Sequence, residues 1–229
     1  MSAVNNISIE AIIFDCEGVI VDTETLWDKG QEEFLRRRGF VYDRSRIKHL
    51  LTGTSIYDGV RVMQREYGFS GDVETQAEER IEIVRELFAT EVEFIPGFKE
   101  FFLRANPVYK TSIATAMPSE LLHLVDGRLH LSELFLGQIF TLEDVNFRAK
   151  PEPDLFLYAA KAIGIFPDRC LVIEDAPHGI EAAKRAGMKS IGLVTTYDRT
   201  LLASSGADWI ADSFPSIAAL LWGNTVYSP

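Results

Sequence analysis

The sequence lacks the features that mark membrane proteins, secreted proteins and nucleic-acid binders. No apolar run among its 229 residues approaches the roughly 18–20 residues that cross a bilayer. Its N-terminus has no basic stretch leading into an apolar core, which is the pattern of a secretory signal. With 23 basic and 34 acidic residues the formal charge is −11, which disfavours a broad basic face for nucleic acid. We therefore expect a cytoplasmic protein that binds neither membranes nor nucleic acid.

Cysteine is also scarce, with Cys16 and Cys170 as the only two in the chain. Cys16 follows the carboxyl end of one predicted strand, and Cys170 lies near the amino end of another. If the strands are parallel, the residues from Cys170 to Asp175 separate the two thiols by about 16 Å, which is beyond disulfide reach. We expect two buried free thiols, in keeping with a reducing compartment.

Several common site signatures are missing as well. The chain has no G-x-x-x-x-G-K-[ST] phosphate loop, no G-x-G-x-x-G dinucleotide fingerprint and no paired-cysteine zinc pattern. Its four histidines are scattered without ligand spacing. Its 47% hydrophobic and 25% charged content is that of an ordinary globular protein.

Short apolar runs alternate with amphipathic segments over most of the chain. Strands are predicted at residues 9–14, 109–115, 136–141, 170–173, 190–194 and 209–211. The helices predicted between and after them include 98–103, 154–163, 179–186 and 216–221. Strands alternating with helices favour a parallel sheet with right-handed crossovers. The predicted fold class is α/β, with a Rossmann-like parallel sheet as its core.

Residues 21–94 interrupt this alternation. Helical periodicity is found at 24–38, 47–51, 57–67 and 74–90, and no strand alternation accompanies it. Pro96-Gly97 then marks the return to the β/α pattern. We therefore predict two domains: a discontinuous core of residues 1–20 and 95–229, and an inserted helical cap of residues 21–94.

Two predicted strands end in pairs of carboxylates. Asp15 and Glu17 follow the first strand, and Glu174 and Asp175 follow the apolar run that begins at Cys170. Buried carboxylates cost several kcal/mol unless they are paired, hydrogen-bonded or bound to a cation. Ligands of open α/β sheets bind at the carboxyl ends of the strands. Neighbouring strands would bring both pairs to one crevice, where oxygen-only ligands suit Mg²⁺.

An anion site is indicated by three further residues. Thr115 ends a predicted strand before a helix, so its hydroxyl and the N–H of Ala116 could bind a phosphate oxygen. Lys150, before two prolines, could supply a fixed positive charge. Each alone has a common structural explanation, such as a helix N-cap for Thr115. Together with the carboxylates they provide an acid nucleophile, a metal and cationic clamps for phosphoryl oxygens.

Motifs across nearly the whole chain resemble the haloacid dehalogenase superfamily, in the capped branch of β-phosphoglucomutase-like phosphatases. The motifs are 14–24, 150–154 and 172–175 with Gly179-Ile180 and Ala186-Gly187-Met188. The resemblance implies that Asp15 attacks phosphorus and becomes an aspartyl-phosphate. Glu17 would protonate the leaving oxygen and later activate water. Thr115 would bind the transferring phosphoryl group, and Lys150 would hold it in register with Asp15.

The resemblance also implies a Mg²⁺ ion at Asp15, Glu174 and Asp175, with the backbone carbonyl of Glu17 as a further ligand. The family's phosphatases and mutases have aspartate at the position of Glu17. The carbonyl ligand does not depend on the side chain, whereas the acid–base step does. One extra methylene displaces the carboxyl group by over an ångström, and misplacement on that scale can cost about 10²-fold in rate. We expect a slow or specialised enzyme.

Three alternatives to a phosphatase remain open. A β-phosphoglucomutase-like mutase must hold a second phosphate with cationic cap groups. The loop 51–58 has no lysine or arginine, and Trp27 stands where the mutases have histidine. A hydrolytic dehalogenase would need neither the acid at Glu17 nor a metal, so Glu17 together with Glu174 and Asp175 argues against it. A non-catalytic or weakly active phospho-ligand binder would explain the replacement at Glu17.

A phosphatase acting on a small sugar phosphate or related metabolite is the expected function. Trp27, Thr52 and Ser55 are its candidate substrate contacts, although Trp27 equally fits the core of the cap. The expected oligomeric state is a monomer or weak dimer.

Overall fold

The computed structural model describes residues 8–51 and 54–223. The chain divides into two compact units. One unit comprises the described residues up to Asp22 and from Glu93 onward, and the other is Thr23–Val92.

The described residues of the unit Thr23–Val92 form four helices. They are α1 (Glu24–Arg36), α2 (Arg44–Leu51), α3 (Ile56–Tyr67) and α4 (Val73–Thr90). Their apolar faces form a buried cluster that includes Phe34, Ile47 and Met63. Asp72 caps α4 by accepting the N–H of Thr75 at 2.9 Å, as short polar residues commonly do at helix N-termini. Local helix signals and one apolar face per helix account for this unit.

The other unit contains a six-stranded parallel sheet. Its strands are β1 (Ala11–Phe14), β2 (Lys110–Ala114), β3 (Ile139–Phe140), β4 (Cys170–Glu174), β5 (Lys189–Leu193) and β6 (Trp209–Ala211). They lie in the order β3-β2-β1-β4-β5-β6, and every neighbouring pair is parallel. This confirms the predicted α/β class with a Rossmann-like parallel sheet.

Helices connect the strands and cover both faces of the sheet. They are α5 (Phe98–Ala105), α6 (Ser119–Leu129), α7 (Leu131–Leu134), α8 (Asp154–Ile163), α9 (Pro177–Arg185), α10 (Arg199–Ser204) and α11 (Phe214–Trp222). Ala11 and Ile13 of β1 pack in one cluster with residues of α8 and α9. Phe14 points the other way and contacts the rings of Phe98 and Phe101 in α5. Burial on both faces explains why β1 is an uninterrupted apolar run.

The strand predicted at residues 136–141 is shorter than expected. Only Ile139 and Phe140 pair with β2, because Leu136 and Gly137 adopt left-handed conformations with φ of 51° and 75°. Such residues cannot continue an extended strand. The short helices α7 and α10 were not predicted, since neither has enough residues to show helical periodicity.

The thiols of Cys16 and Cys170 are both buried and free, as predicted. Cys170 pairs in register with Ala11 of β1, so Cys16 lies near the opposite ends of the strands. Among the described residues, no helix has the length and apolar character required to cross a membrane.

Candidate active site

The carboxyl ends of β1 and β4 bring together three of the predicted acids, Asp15, Glu174 and Asp175. Phe14 pairs with Ile173, and the N–H of Asp15 donates to the carbonyl of Ile173 at 3.0 Å. Asp15 and Glu174 therefore leave adjacent strands at the same level. Each of Asp15, Glu174 and Asp175 offers one oxygen to a cluster in which these atoms all lie within 4.8 Å of one another. The three side chains are buried.

Lys150 joins this cluster through two buried ion pairs. Its Nζ donates to Asp15 Oδ1 at 2.5 Å and to Glu174 Oε1 at 2.7 Å. A longer hydrogen bond of 3.3 Å reaches the carbonyl of Ala114 at the end of β2. The ring of Phe156 in α8 packs against the ammonium group, with its centroid 4.9 Å from Nζ. Three strand ends and one helix therefore fix the position of a single positive charge.

Glu174 is hydrogen-bonded through both of its oxygens. Oε1 accepts from Lys150, and Oε2 accepts the backbone N–H groups of Asp175 and Ala176, each at 2.9 Å. A carboxylate held in this way orients the ammonium group and the turn that leads into α9. A metal bound in this cluster would therefore be contacted more directly by Asp15 and Asp175.

Two glycines allow the carboxylates to approach the backbone. A Cβ atom at Gly179 in α9 would lie 1.8 Å from Glu174 Oε1. Gly18 has φ +69°, and a Cβ atom there would lie 2.0 Å from Asp175 Oδ2. Both distances are far below a van der Waals contact, so side chains at these positions would displace the acidic groups.

The electrostatics of the cluster favour a bound cation. Burial raises the pKa of Asp15 from 3.8 to about 7, despite the opposing attraction of Lys150. Burial, followed by repulsion from Glu174 and Asp15, raises the pKa of Asp175 well above its ordinary value. The Lys150 pKa is lowered by burial but raised more by its two carboxylate partners, so the ammonium stays charged. Oxygen donors with excess negative charge fit the requirements of Mg²⁺.

Glu17 and Thr115 lie at the same edge of the sheet but outside the carboxylate cluster. Glu17 follows β1 in a loop closed by a hydrogen bond from the N–H of Gly18 to the carbonyl of Val21 at 2.9 Å. Thr115 is buried, and its Oγ1 accepts the N–H of Met117 at 3.0 Å. This turn leaves Ala116 exposed at the start of the segment before α6. The phosphate-binding roles of Thr115 and Ala116 stay predictions.

The remaining candidate residues belong to the unit Thr23–Val92. Trp27 is half-buried in α1, and its ring packs edge-on against Phe88 with centroids 6.1 Å apart. Ser55 caps α3, because its Oγ accepts the N–H of Asp58 at 3.1 Å. Thr52 lies outside the described residues. Trp27 and Ser55 thus have partners within their own unit, and their proposed contacts with substrate stay predictions.

The loop after β5 contains site residues that sequence reasoning missed. Thr195 Oγ1 donates to the carbonyl of Gly18 at 2.6 Å, and the hydroxyl of Thr196 lies beside the carboxylate of Asp175 and opposes the rise in its pKa. Their position in the sequence could have identified them, because two hydroxyl residues follow the end of a buried strand at the edge of the sheet where the acids lie. The close contacts of Gly18 and Gly179 carry no comparable signal, since glycine is common in turns and near helix starts.

The chain is similar to known hydrolases in sequence and in fold. A sequence model of the family described as haloacid dehalogenase-like hydrolase matches residues 9–187. The 6-phosphogluconate phosphatase of Escherichia coli (strain K12) is 28% identical, over 79% of this chain and 80% of that protein. The fructose-1-phosphate phosphatase of the same organism is 31% identical, over 79% of this chain and 94% of that protein.

A solved structure shares the fold over almost its full length. It is a HAD family hydrolase from Deinococcus radiodurans R1, crystallised with bound phosphate and sodium. The two chains are 30% identical with a TM-score of 0.81, and the match covers 93% of this chain and 95% of the other.

Replacing Gly179 with alanine tests whether Glu174 requires the close approach to α9. We expect Gly179→Ala to lower the free energy of unfolding by about 1–3 kcal/mol, because the added methyl overpacks the site. Displacement of Glu174 should also weaken Mg²⁺ binding by about 10-fold. Urea denaturation and Mg²⁺ titration measure the two effects.

Gly127→Ala is the matched control, because Gly127 also lies in a helix and a Cβ atom added there would meet no other atom within 4 Å. This substitution should leave Mg²⁺ binding unchanged and raise stability by up to about 1 kcal/mol. Equal effects of the two substitutions would contradict the requirement for space beside Glu174.

The raised pKa of Asp15 predicts a pH dependence for the Mg²⁺-free protein. Between pH 3.8 and about 7 the folded state binds more protons than the unfolded state. The free energy of unfolding should therefore fall as pH rises through this window, by up to about 4 kcal/mol for this group. Saturating Mg²⁺ should reduce the loss, because the cation replaces the bound proton in stabilising the acids.

Thermal midpoints at pH 5 and pH 8, with EDTA or with Mg²⁺, measure this dependence. Asp175→Asn should raise the midpoint of the Mg²⁺-free protein at pH 8, since it removes one of the mutually repelling charges. Asp168→Asn, at an exposed position before β4, should leave it unchanged. A wild-type midpoint in EDTA that is the same at both pH values would contradict the prediction.

Proposed function

Because the chain belongs to the haloacid dehalogenase-like hydrolases and is related to phosphatases of sugar phosphates, we propose that it is a Mg²⁺-dependent phosphatase of small sugar phosphates. It works through an aspartyl-phosphate intermediate. The observation that carries the proposal is the buried bridge from Lys150 to Asp15 and Glu174, with Asp175 in the same cluster. A carboxylate beside a fixed ammonium group and other acids is suited to nucleophilic attack on a phosphate ester.

Asp15 is the nucleophile in this mechanism. Lys150 holds its Oδ1 and thereby sets the orientation of the whole carboxylate. Attack by Asp15 forms a bond from oxygen to phosphorus while the bond from phosphorus to the sugar oxygen breaks. Glu17 donates a proton to that departing oxygen, so the sugar leaves as a neutral alcohol.

The second half of the reaction releases inorganic phosphate. Glu17, now ionised, accepts a proton from a water molecule, whose oxygen attacks the phosphorus of the aspartyl-phosphate. The bond to Asp15 breaks, and its carboxylate is regenerated. The hydroxyl of Thr115 and the N–H of Ala116 bind phosphoryl oxygens in both halves, while Lys150 offsets their negative charge.

The residues that would hold Mg²⁺ are Asp15, Asp175 and the backbone carbonyl of Glu17, with Glu174 at the edge of the site. The bound cation would supply the positive charge that lets an anionic nucleophile approach an anionic ester. Glu174 contributes by orienting Lys150 and the backbone of Asp175.

Hydrolysis is favoured over a mutase reaction by the loop Leu51–Asp58. It contains no lysine or arginine to hold a second phosphate. Ser55, which caps α3, and Trp27, which packs against Phe88, are uncharged and cannot supply the missing positive charge. Contacts of Trp27, Thr52 and Ser55 with the sugar remain part of the proposal.

Replacing Asp15 with asparagine tests the proposed function. Asp15→Asn should abolish Mg²⁺-dependent phosphate release, because the amide is not a nucleophile. Release is measured over a panel of sugar, polyol and nucleotide monophosphates. Asp168→Asn, an exposed acid-to-amide change away from the cluster, should retain wild-type activity.

The product analysis separates the alternatives to a phosphatase. Conversion of one sugar phosphate into an isomer without release of phosphate would identify a mutase. Ligand-induced thermal stabilisation with no turnover over the whole panel would identify a phospho-ligand binder. Either result would overturn the proposal.

Replacing Glu17 with aspartate tests the acid–base assignment. We expect Glu17→Asp to raise kcat by as much as about 10²-fold, because the shorter side chain places the carboxyl group where this chemistry requires it. Glu17→Gln should lower kcat, whereas Mg²⁺ affinity should change little in both variants because the proposed ligand is a carbonyl. Unchanged turnover in Glu17→Asp would show that the glutamate already reaches the leaving oxygen.

A further inference from the structure

The loop of residues 194–197 after β5 makes two contacts that the proposed mechanism does not use. Thr195 Oγ1 donates to the carbonyl of Gly18 at 2.6 Å. The hydroxyl of the next residue, Thr196, lies beside the carboxylate of Asp175 and opposes the rise in its pKa. Consecutive residues of one loop therefore lie against two parts of the site. Thr195 contacts the segment that carries Glu17, and Thr196 lies beside Asp175, a proposed metal ligand.

Both ends of this loop are fixed by hydrogen bonds. At its start, the N–H of Val194 donates to the carbonyl of Ala211 in β6 at 2.9 Å. The N–H of Thr195 closes a tight turn onto the carbonyl of Leu193 at 3.0 Å. At its end, Asp198 caps α10 and accepts the N–H of Leu201 at 2.9 Å. The two hydroxyl groups therefore project from a braced segment.

The contacts of the two threonines meet at Gly18. A Cβ atom on Gly18 would lie 2.0 Å from Asp175 Oδ2 and 2.7 Å from Thr196 Oγ1. The carbonyl of the same glycine accepts from Thr195. Since Gly18 directly follows Glu17, the position of the Glu17 peptide depends on the same group of contacts that orients Asp175.

We propose that Thr195 and Thr196 are positioning residues of the phosphatase site, an inference that rests on the proposed function. Thr195 fixes the loop that carries the acid–base residue Glu17. Thr196 holds Asp175 in the orientation that binds Mg²⁺. Hydrogen-bond partners of ligating groups contribute in this way at many metal sites, and their removal typically costs about 10- to 100-fold in metal affinity or activity.

The two threonines act on different quantities, which makes the inference testable. Thr196 acts on a ligand, so its loss should change Mg²⁺ affinity. Thr195 acts on the acid–base loop, so its loss should change kcat. If the threonines had only a structural role, both substitutions would lower stability. Neither would then change Mg²⁺ affinity or kcat selectively.

The experiment compares Thr195→Val and Thr196→Val with the hydroxyl-retaining variants Thr195→Ser and Thr196→Ser. Mg²⁺ affinity is measured by calorimetry on the full chain without substrate, and kcat and KM are measured at saturating Mg²⁺. Thr200→Val is the matched control, because Thr200 is exposed in neighbouring α10. It should leave all three quantities at wild-type values.

Thr196→Val should weaken Mg²⁺ binding by about 10-fold and leave kcat at saturating Mg²⁺ within about 3-fold of wild type. Thr195→Val should lower kcat by about 10-fold and leave the Mg²⁺ Kd and KM within about 2-fold. Both serine variants should stay near wild type. Should a valine variant fail to fold by circular dichroism, the corresponding alanine variant, which also removes the hydroxyl, gives the same comparison.

If both valine variants have the Mg²⁺ affinity, kcat and KM of the wild type, the inference is overturned while the proposed function stays intact. Parallel changes of Mg²⁺ affinity and kcat in both variants would also overturn it. A wild-type protein that releases no phosphate would overturn the proposed function and, with it, the role of Thr195. The Mg²⁺ titration of Thr196→Val would then still decide the role of Thr196.

Discussion

The buried ammonium group of Lys150 is the interaction on which the site depends. Its contacts with Asp15 and Glu174 hold two carboxylates that would otherwise repel each other at the ends of adjacent strands. Removing one partner from a buried ion pair typically costs about 3–5 kcal/mol, because the remaining charge is left uncompensated. The parallel register of β1 and β4 brings the acids together, and the packing of Phe156 in α8 supports the lysine from its other side.

One lysine does not balance the charge of the cluster. Asp15, Glu174 and Asp175 would carry three negative charges against a single ammonium group. Glu174 is stabilised further by two backbone N–H groups, whereas the pKa values of Asp15 and Asp175 are raised by burial. When all three acids are ionised, the excess negative charge lies on the two acids that are least satisfied by the protein. A divalent cation bound by these acids, as we propose, would offset this charge and would favour the approach of an anionic phosphate ester.

The sequence was sufficient to predict the sheet and the meeting of Asp15 with Glu174 and Asp175. Apolar runs that end in charge mark the carboxyl ends of buried strands, and those ends share one edge in any parallel sheet. It was not sufficient to predict what each acid contacts. Glu174 proved to be held by backbone N–H groups, and Thr196 proved to contact Asp175, because side-chain direction in loops depends on tertiary packing. The sequence also did not predict that β3 is short, which results from the left-handed backbone at Leu136.

The environment of Glu17 limits how the chain can accommodate a longer acid there. Gly18 has no room for a side chain beside Asp175, and its carbonyl is held by Thr195. The N–H of Gly18 also bonds to Val21, which closes the loop on its other side. A shift of the backbone by an ångström, which would compensate for the extra methylene, would have to break these contacts. The position of the Glu17 carboxyl group must therefore be adjusted by its side-chain rotamer, with the backbone left in place.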